Sequence, residues 1–406
     1  MPFQERCVEE EAVRFIAYYQ DGRDTMTALC EAFGISRTWG YELVRRFERE
    51  GPGGLAARSS APRKHGTALS GELAADILAL RRRYPYWGPK KLRAYLRTHY
   101  PKAHWPAAST IGDLLLREGL IRSRRRRRGQ IPLSAPFARV EAANDLWCID
   151  FKGWFRTDDG VRCDPLTLTD AHSRYLLCCQ IIKPRFIPVD EVVERAMREH
   201  GLPRAIRSDN GPPFASNGAG GLSRLAVKWI KLGIKLERCD PASPQQNGRH
   251  ERMHATLKAQ TAKPPAKTRD AQQSRFDDFQ QEYNHIRPHE ALGQTPPAQH
   301  YQASSTSWPD HPREPLYSDS HAVRRVRSNG EIKWGGDRVY VSEALVGEPV
   351  GVAETDNGNW IIRYDQYPLG IINRKTKKLR PFTAIRPGQT KKAKQNGKTV
   401  NEVSGL

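Results

Sequence analysis

Between residues 144 and 260, short apolar runs alternate with helical stripes, and few architectures accommodate that alternation. Leu146–Phe151, Leu166–Asp170 and Tyr175–Ile182 read as strands. A helix over Val189–Glu199 follows, then a short strand, Ala205–Ser208, ending at Asp209-Asn-Gly. Leu222–Leu232 reads as a helix, Lys235–Arg238 as a strand and Gly248–Gln260 as a helix. Strands and helices in this order predict an α/β domain whose helices cover a mixed sheet. That domain uses less than half of the 406 residues. At roughly 100–200 residues per domain, the chain should hold two to four folded units.

Residues 8–50 predict a helical unit. Val8, Ala12, Phe15, Ile16 and Tyr19 keep helical spacing, as do Met26, Leu29, Cys30 and Phe33. Gly34-Ile35 breaks the pattern, and Ser36 can cap a third helix carrying Trp39, Leu43, Val44 and Phe47. This is the helix-turn-helix order, with Arg37, Thr38 and Tyr41 at the start of the helix that would enter a major groove. A plain three-helix bundle with a solvated polar face would show the same pattern. After a linker around Gly51–Gly54 and 58–66, a second helical block runs from Ser70 to Ile121, with Thr110–Asp113 as a candidate capping box. Its Tyr84-Pro-Tyr-Trp-Gly-Pro-Lys-Lys segment suits either a DNA contact or an aromatic plug between helices. Arg122, Arg124, Arg125, Arg126, Arg127 and Arg128 then place six arginines within seven residues. Charges so dense repel one another and favour lying along phosphates without reading sequence. Past a polar linker at 301–320, short strands and the turns Ser328-Asn-Gly, Gly335-Gly336 and Asp356-Asn-Gly predict a small β-barrel. The basic tail should be disordered.

Charge narrows the function. Against 45 acidic side chains stand 66 Lys and Arg, a net charge of +21, which favours a polyanion such as nucleic acid. No run approaches the ~20 apolar residues of a spanning helix, and the first residues lack a signal peptide's pattern, so a cytoplasmic protein is expected. Seven cysteines without a Cys-x-x-Cys predict buried thiols rather than a disulfide or zinc framework.

Three acids stand in unusual settings. Asp150 sits inside the apolar run Leu-Trp-Cys-Ile-Asp-Phe, Asp209 at a strand end, and Glu251 in the first turn of a helix. Should that helix pack beside the two strands, the carboxylates converge, and their mutual repulsion calls for a divalent cation. Oxygen ligands favour magnesium or manganese, and two such ions suit phosphodiester displacement. Taken singly, each acid could instead be a helix cap or a surface ion pair. Overlapping the third acid, His250-Glu-Arg-Met-His254 matches the zinc-protease pattern H-E-x-x-H. A third zinc ligand is not evident, and the protease reading leaves Asp150, Asp209 and the charge unexplained.

Leu-Trp-Cys-Ile-Asp150-Phe-Lys-Gly, Arg-Ser-Asp209-Asn-Gly-Pro-Pro-Phe and Pro-Gln-Gln-Asn-Gly-Arg-His-Glu251-Arg together resemble the retroviral-integrase-type transposases of bacterial insertion sequences. Thr169-Asp-Ala-His-Ser-Arg-Tyr175 and Tyr283-Asn-His-Ile-Arg-Pro-His-Glu-Ala-Leu292 match further landmarks of that family. The resemblance implies a ribonuclease-H-like core in which Asp150, Asp209 and Glu251 hold two Mg²⁺ ions, with Mn²⁺ able to substitute. It implies a DNA transposase that binds terminal inverted repeats, hydrolyses phosphodiester bonds and transfers strands into target DNA. Its partners would be double-stranded DNA and further copies of itself at the bacterial nucleoid, with no membrane. A catalytically inactive DNA-binding repressor is the alternative. One departure is visible: Asp209 and Glu251 lie 42 positions apart, a surplus falling in the Gly-rich stretch 216–221. The expected fold class is multidomain α/β. Its units are a helix-turn-helix domain over 1–57, a second helical DNA-binding domain over 67–121, an Arg-rich linker over 122–140, the catalytic core over 141–301, a barrel over 321–385 and a basic tail over 386–406.

Overall fold

The computed structural model describes residues 8–56, 69–122, 140–238, 248–356 and 358–382. The chain divides into two compact units, Met1–Ser70 and Gly71–Leu406.

In the first unit, α1 (Val8–Asp21), α2 (Met26–Ala32) and α3 (Arg37–Glu50) enclose Phe15, Ile16, Leu29, Cys30, Leu43 and Val44. Thr25 caps α2 by accepting from the Ala28 amide, and Ser36 caps α3 by accepting from the Trp39 amide at 3.2 Å. Gly34, with φ of +64°, makes the turn between them. Trp39 does not join the core as its spacing predicts and is 42% exposed, beneath the Arg46 guanidinium. Gly40 takes the inward place, because α2 crosses so near that a Cβ there would lie 2.5 Å from Cys30 Sγ. Arg37, Thr38 and Tyr41 are exposed.

The second unit opens with α4 (Gly71–Arg83), α5 (Pro89–His99) and α6 (Ala108–Arg117) around Ile77, Leu92, Ile111 and Leu115. The expected capping box at Thr110–Asp113 is absent: α6 begins earlier, after Ala107 and without a side-chain cap. Of the two roles open to the aromatic segment, it fills the plug. Trp87 is 1% exposed, stacks on Tyr84 and donates from Nε1 to Glu282 at 2.9 Å. Lys90 pairs with Glu290, and Lys91 donates to the Pro288 carbonyl, so this block is fastened to residues 282–290. The arginine run that follows is described only at its first member. Arg122 is exposed, whereas Arg124, Arg125, Arg126, Arg127 and Arg128 lie outside the described residues.

The central sheet has the order β5-β4-β1-β6-β7. Its strands are β1 (Trp147–Phe151), β4 (Pro165–Asp170), β5 (Leu176–Ile181), β6 (Ala205–Ser208) and β7 (Lys235–Arg238), and a hairpin of β2 (Phe155–Arg156) and β3 (Arg162–Cys163) precedes β4. β5, β4 and β1 pair antiparallel, whereas β1, β6 and β7 run parallel. On one face Trp147, Ile149, Leu166 and Leu168 meet α7 (Phe186–His200) and α8 (Arg224–Lys231). On the other, Leu176, Cys179 and Ile181 meet Met253 and Leu257 of α9 (Gly248–Thr261), with Phe276 and Phe279 of α10 (Arg269–Gln281). Helix α10 escapes a pattern search because it turns amides inward. Gln273 bonds both Ile181 N and Cys179 O, Gln280 bonds Leu176 O, and Asn284 bonds Leu176 N and O. The edge of β5 is thereby occupied by side chains.

The C-terminal strands are β8 (Ala322–Arg325), β9 (Glu331–Trp334), β10 (Asp337–Tyr340), β11 (Pro349–Glu354), β12 (Trp360–Tyr364), β13 (Tyr367–Ile372) and β14 (Leu379–Pro381). They form an antiparallel sheet, β14-β13-β12-β11-β8, and a separate β9-β10 hairpin. The expected barrel is therefore not present as a closed ladder among the described residues: β14 and β8 end the sheet without pairing to each other. Val350, Val352, Ile362 and Leu369 share a core with Ala219, Leu222, Ala226 and Ile230. The surplus Gly-rich stretch thus serves as a seat for this sheet. The Gly220 amide donates to Phe382 O, and a Cβ on Gly220 would lie 2.9 Å from Leu369. The five cysteines within the described residues are free and buried, as expected.

Trp87→Ala should destabilise the second unit by about 3–5 kcal/mol through the cavity and the orphaned Glu282 contact. Trp154→Ala, at a 58% exposed position, should stay within about 0.5 kcal/mol. Denaturant titration of the full chain measures both.

Candidate active site

Side chains alternate along β1, so Trp147 and Ile149 enter the apolar core while Cys148 and Asp150 turn to the α9 side. Register matters next. Thr167 of β4 lies opposite Asp150, and Thr169 lies opposite Cys148. The parallel β1–β6 pairing sets Trp147 beside Ile206 and Cys148 beside Arg207, and extending it two rungs brings 150 beside 209. The Asp209 carboxylate accepts from the Gly211 amide at 3.2 Å. Glu251 is exposed on the first turn of α9.

Helix α9 is held to this face by its histidines. His250, Met253, His254, Leu257 and Thr261 form one buried stripe at helical spacing. His250 lies between two threonine hydroxyls, with Nε2 2.8 Å from Thr167 Oγ1 and Nδ1 2.8 Å from Thr169 Oγ1. His254 Nε2 lies 2.6 Å from Thr167 Oγ1, and the same hydroxyl reaches the Asp150 carbonyl at 3.2 Å. The other nitrogen of His254, Nδ1, stands 3.9 Å from Asp150 Oδ2. Among the described residues, Asp150, His250 and His254 offer ligand atoms within 4.8 Å of one another. Asp209 and Glu251 face Asp150 at longer, electrostatic range.

Burial, then the charges of Asp209 and Glu251, pushes the Asp150 carboxyl up to about 7 against the pull of Lys152. Asp209 is also raised by burial. Burial depresses His250 to about 3, and burial together with His250 and Lys152 depresses His254 to about 2, so both imidazoles are neutral. Lys152, itself lowered by burial and by Lys258, sets positive charge beside the acids. Two facing carboxylates, both raised by burial and one by its neighbour's charge as well, are a donor set suited to a divalent cation.

Of the predicted residues, the structure brings Asp150 and Asp209 to neighbouring strand ends and sets Glu251 within their field. Arg37, Thr38 and Tyr41 lie in the other compact unit, exposed together on the first turns of α3. The predicted phosphate contacts are exposed at Arg122, while those at Arg124, Arg125, Arg126, Arg127 and Arg128 fall outside the described residues, as does the tail. Thr167 and Lys258 are not among the residues the sequence singles out, and Thr169 and Lys152 enter there only within family motifs, without a role. The threonines fall on the polar phase of an apolar strand, a signal available in Pro-Leu-Thr-Leu-Thr-Asp.

Two segments, residues 140–244 and 232–297, match integrase core domain families. Residues 13–63 match a helix-turn-helix domain, and 39–115 a homeodomain-like domain. The chain carries an integrase core and helix-turn-helix domains. In that make-up it is transposase-like, with a ribonuclease-H-like core. It is similar to a 39.2 kDa protein of insertion element IS476 from Xanthomonas euvesicatoria, 26% identical over 57% of this chain and 65% of the relative. The match therefore spans just under two thirds of that relative. A 31.7 kDa protein of insertion element IS407 from Burkholderia multivorans is 27% identical over 56% of this chain and 79% of its own length. The HTLV-2 integrase catalytic core, solved in complex with magnesium, aligns at 18% identity over 40% of this chain and all of that one, with a TM-score of 0.33. No helix among the described residues is long and apolar enough to cross a membrane.

The buried imidazoles give a signed pH dependence. Their folded values lie below the ordinary 6.5, so the unfolded chain binds protons that the folded chain refuses. Their contribution to stability is complete above about pH 6.5 and is lost as pH falls from there towards 3. His250→Gln should flatten that limb in denaturant titrations across the range. Thr167→Val should cost about 1–3 kcal/mol by leaving Nε2 of both histidines unpartnered.

Proposed function

We propose that the chain is a DNA transposase that binds the terminal inverted repeats of its insertion sequence, cleaves phosphodiester bonds and joins the freed ends to target DNA. The observation that carries this reading is the convergence of Asp150 and Asp209 at adjacent strand ends beneath the first turn of α9. Asp150, Asp209 and Glu251 would hold two Mg²⁺ ions, with Mn²⁺ as a substitute. When bound, such ions polarise the attacking and leaving oxygens of an in-line displacement. Lys152 and Lys258 offer positive charge to the phosphates beside the acids. Thr167 and the two histidines keep α9, and hence Glu251, over the strand ends.

The zinc-protease reading of His250–His254 finds no support in this geometry, since both nitrogens of His250 are engaged by threonines. For DNA, Arg37, Thr38 and Tyr41 are proposed to read base edges. Arg122, Arg124, Arg125, Arg126, Arg127 and Arg128 are proposed to follow phosphates without regard to sequence. Residues 1–57, 67–121, 122–140, 141–301 and 321–385 are taken as the working units, followed by a basic tail. The active form is proposed to be a homo-oligomer on DNA in the bacterial cytoplasm, at the nucleoid.

Asp150→Asn, Asp209→Asn and Glu251→Gln should each abolish metal-dependent nicking of a repeat duplex while sparing specific binding. Near-wild-type nicking by any one removes that residue from the triad, and a wild-type chain that binds repeats without nicking favours the inactive repressor. Neutralising Arg122 together with Arg124–Arg128 should weaken binding to repeat and scrambled DNA alike, flattening the salt dependence by up to about 0.9 log units per lost phosphate contact. Arg37→Ala with Thr38→Ala should instead erode the ratio of repeat to scrambled binding, at about 1–3 kcal/mol per lost bidentate base contact. Binding measured at several salt concentrations separates the two. Loss of specificity in the arginine variant alone would reverse this division.

A further inference from the structure

The hydroxyl of Thr167 has one proton and two lone pairs, yet it makes three contacts: Nε2 of His250, Nε2 of His254 and the carbonyl oxygen of Asp150. The carbonyl can only accept, so the Thr167 proton belongs there. Each histidine must then donate from Nε2 into one lone pair of Thr167. At His250 both ring nitrogens are thus engaged, Nδ1 by the Thr169 hydroxyl 2.8 Å away. At His254 the ring nitrogen left over is Nδ1, which faces Asp150 Oδ2 across 3.9 Å, too far for a direct hydrogen bond. Neighbouring ligands of an octahedral ion stand about 3 Å apart, so a cation shared by Nδ1 and Oδ2 would draw the two side chains together by just under an ångström.

We infer that His254 Nδ1 is a ligand of the cation held by Asp150, making this a mixed oxygen–nitrogen site that takes Mn²⁺, or another first-row divalent ion, in preference to Mg²⁺. Imidazole nitrogen suits transition ions, whereas Mg²⁺ favours oxygen and water. His250 is excluded from this role by its two threonines. The inference rests on the triad reading above, keeps its three acids and reverses its order of metals at the Asp150 ion, adding to the carboxylates a donor from the H-E-x-x-H segment.

Electron spin resonance of Mn²⁺ bound to the metal-stripped full chain tests it without reference to activity. Wild-type protein should bind Mn²⁺ with spin-echo modulation from a directly coordinated ¹⁴N, converting to the ¹⁵N pattern when histidine is labelled. His254→Gln should lose that modulation and lower the preference for Mn²⁺ over Mg²⁺ by at least about tenfold, while His250→Gln should retain the modulation. The wild-type spectrum needs no variant, so misfolding of His254→Gln cannot mask the answer. Mn²⁺ bound in an Asp150-dependent manner without nitrogen modulation would overturn the inference and put a proton or water in the gap. Modulation that survives His254→Gln overturns it as well. Failure of the triad itself would look different: Mn²⁺ uptake unchanged in Asp150→Asn and Asp209→Asn.

Discussion

The candidate site hangs on a few hydrogen bonds buried between a strand and a helix. Helix α9 offers the sheet little apolar surface beyond Met253 and Leu257. The rest of its inward stripe is Thr261 and the two imidazoles, and among the described residues Thr167 and Thr169 give those rings their hydrogen-bond partners. Buried polar groups cost roughly 1–3 kcal/mol each when unpaired, so sliding α9 along the sheet would forfeit several such bonds together. An apolar stripe would bury as well and discriminate less between registers. The polar stripe selects one, and that register puts Glu251 over the ends of β1 and β6.

Much of the core was legible in the sequence. The runs Ala205–Ser208 and Lys235–Arg238 are strands with the expected bounds, because short apolar segments closed by turn residues leave little freedom. Asp150 was conspicuous as a charge in an apolar strand, and alternation explains why it is tolerated: it faces the polar side. What the sequence concealed was pairing across distance. Nothing local marks Thr167 as the partner of residues 83 and 87 positions away. Helix α10 was hidden for a related reason, since beside Phe276 and Phe279 its inward face carries amides that periodicity counts as exposed. Trp39 failed oppositely: its apolar spacing was right, but a close helix crossing reserved the inward place for Gly40.

The Gly-rich stretch shows how a sequence anomaly changes meaning once neighbours are known. As spacing alone it reads as a surplus loop between the second and third acids. In the fold it is the surface on which the C-terminal sheet rests, so Ala219 and Gly220 belong as much to that sheet's core as to the α/β domain. The two parts are joined by packing rather than by a flexible tether alone, and changes in one should be felt in the other's stability.

The side-chain amides along β5 have a counterpart at the far edge of the same sheet, where the Tyr367 hydroxyl accepts from the Leu236 amide of β7. Exposed strand edges are the usual route by which sheets from different molecules fuse. Here the backbone groups that would invite a sixth strand are already bonded at several points along β5 and at one on β7. A second copy would find both edges of this sheet partly occupied, whereas β8 and β14 of the C-terminal sheet end without a strand partner among the described residues. The central sheet is thereby guarded at both ends against fusing edge to edge with another.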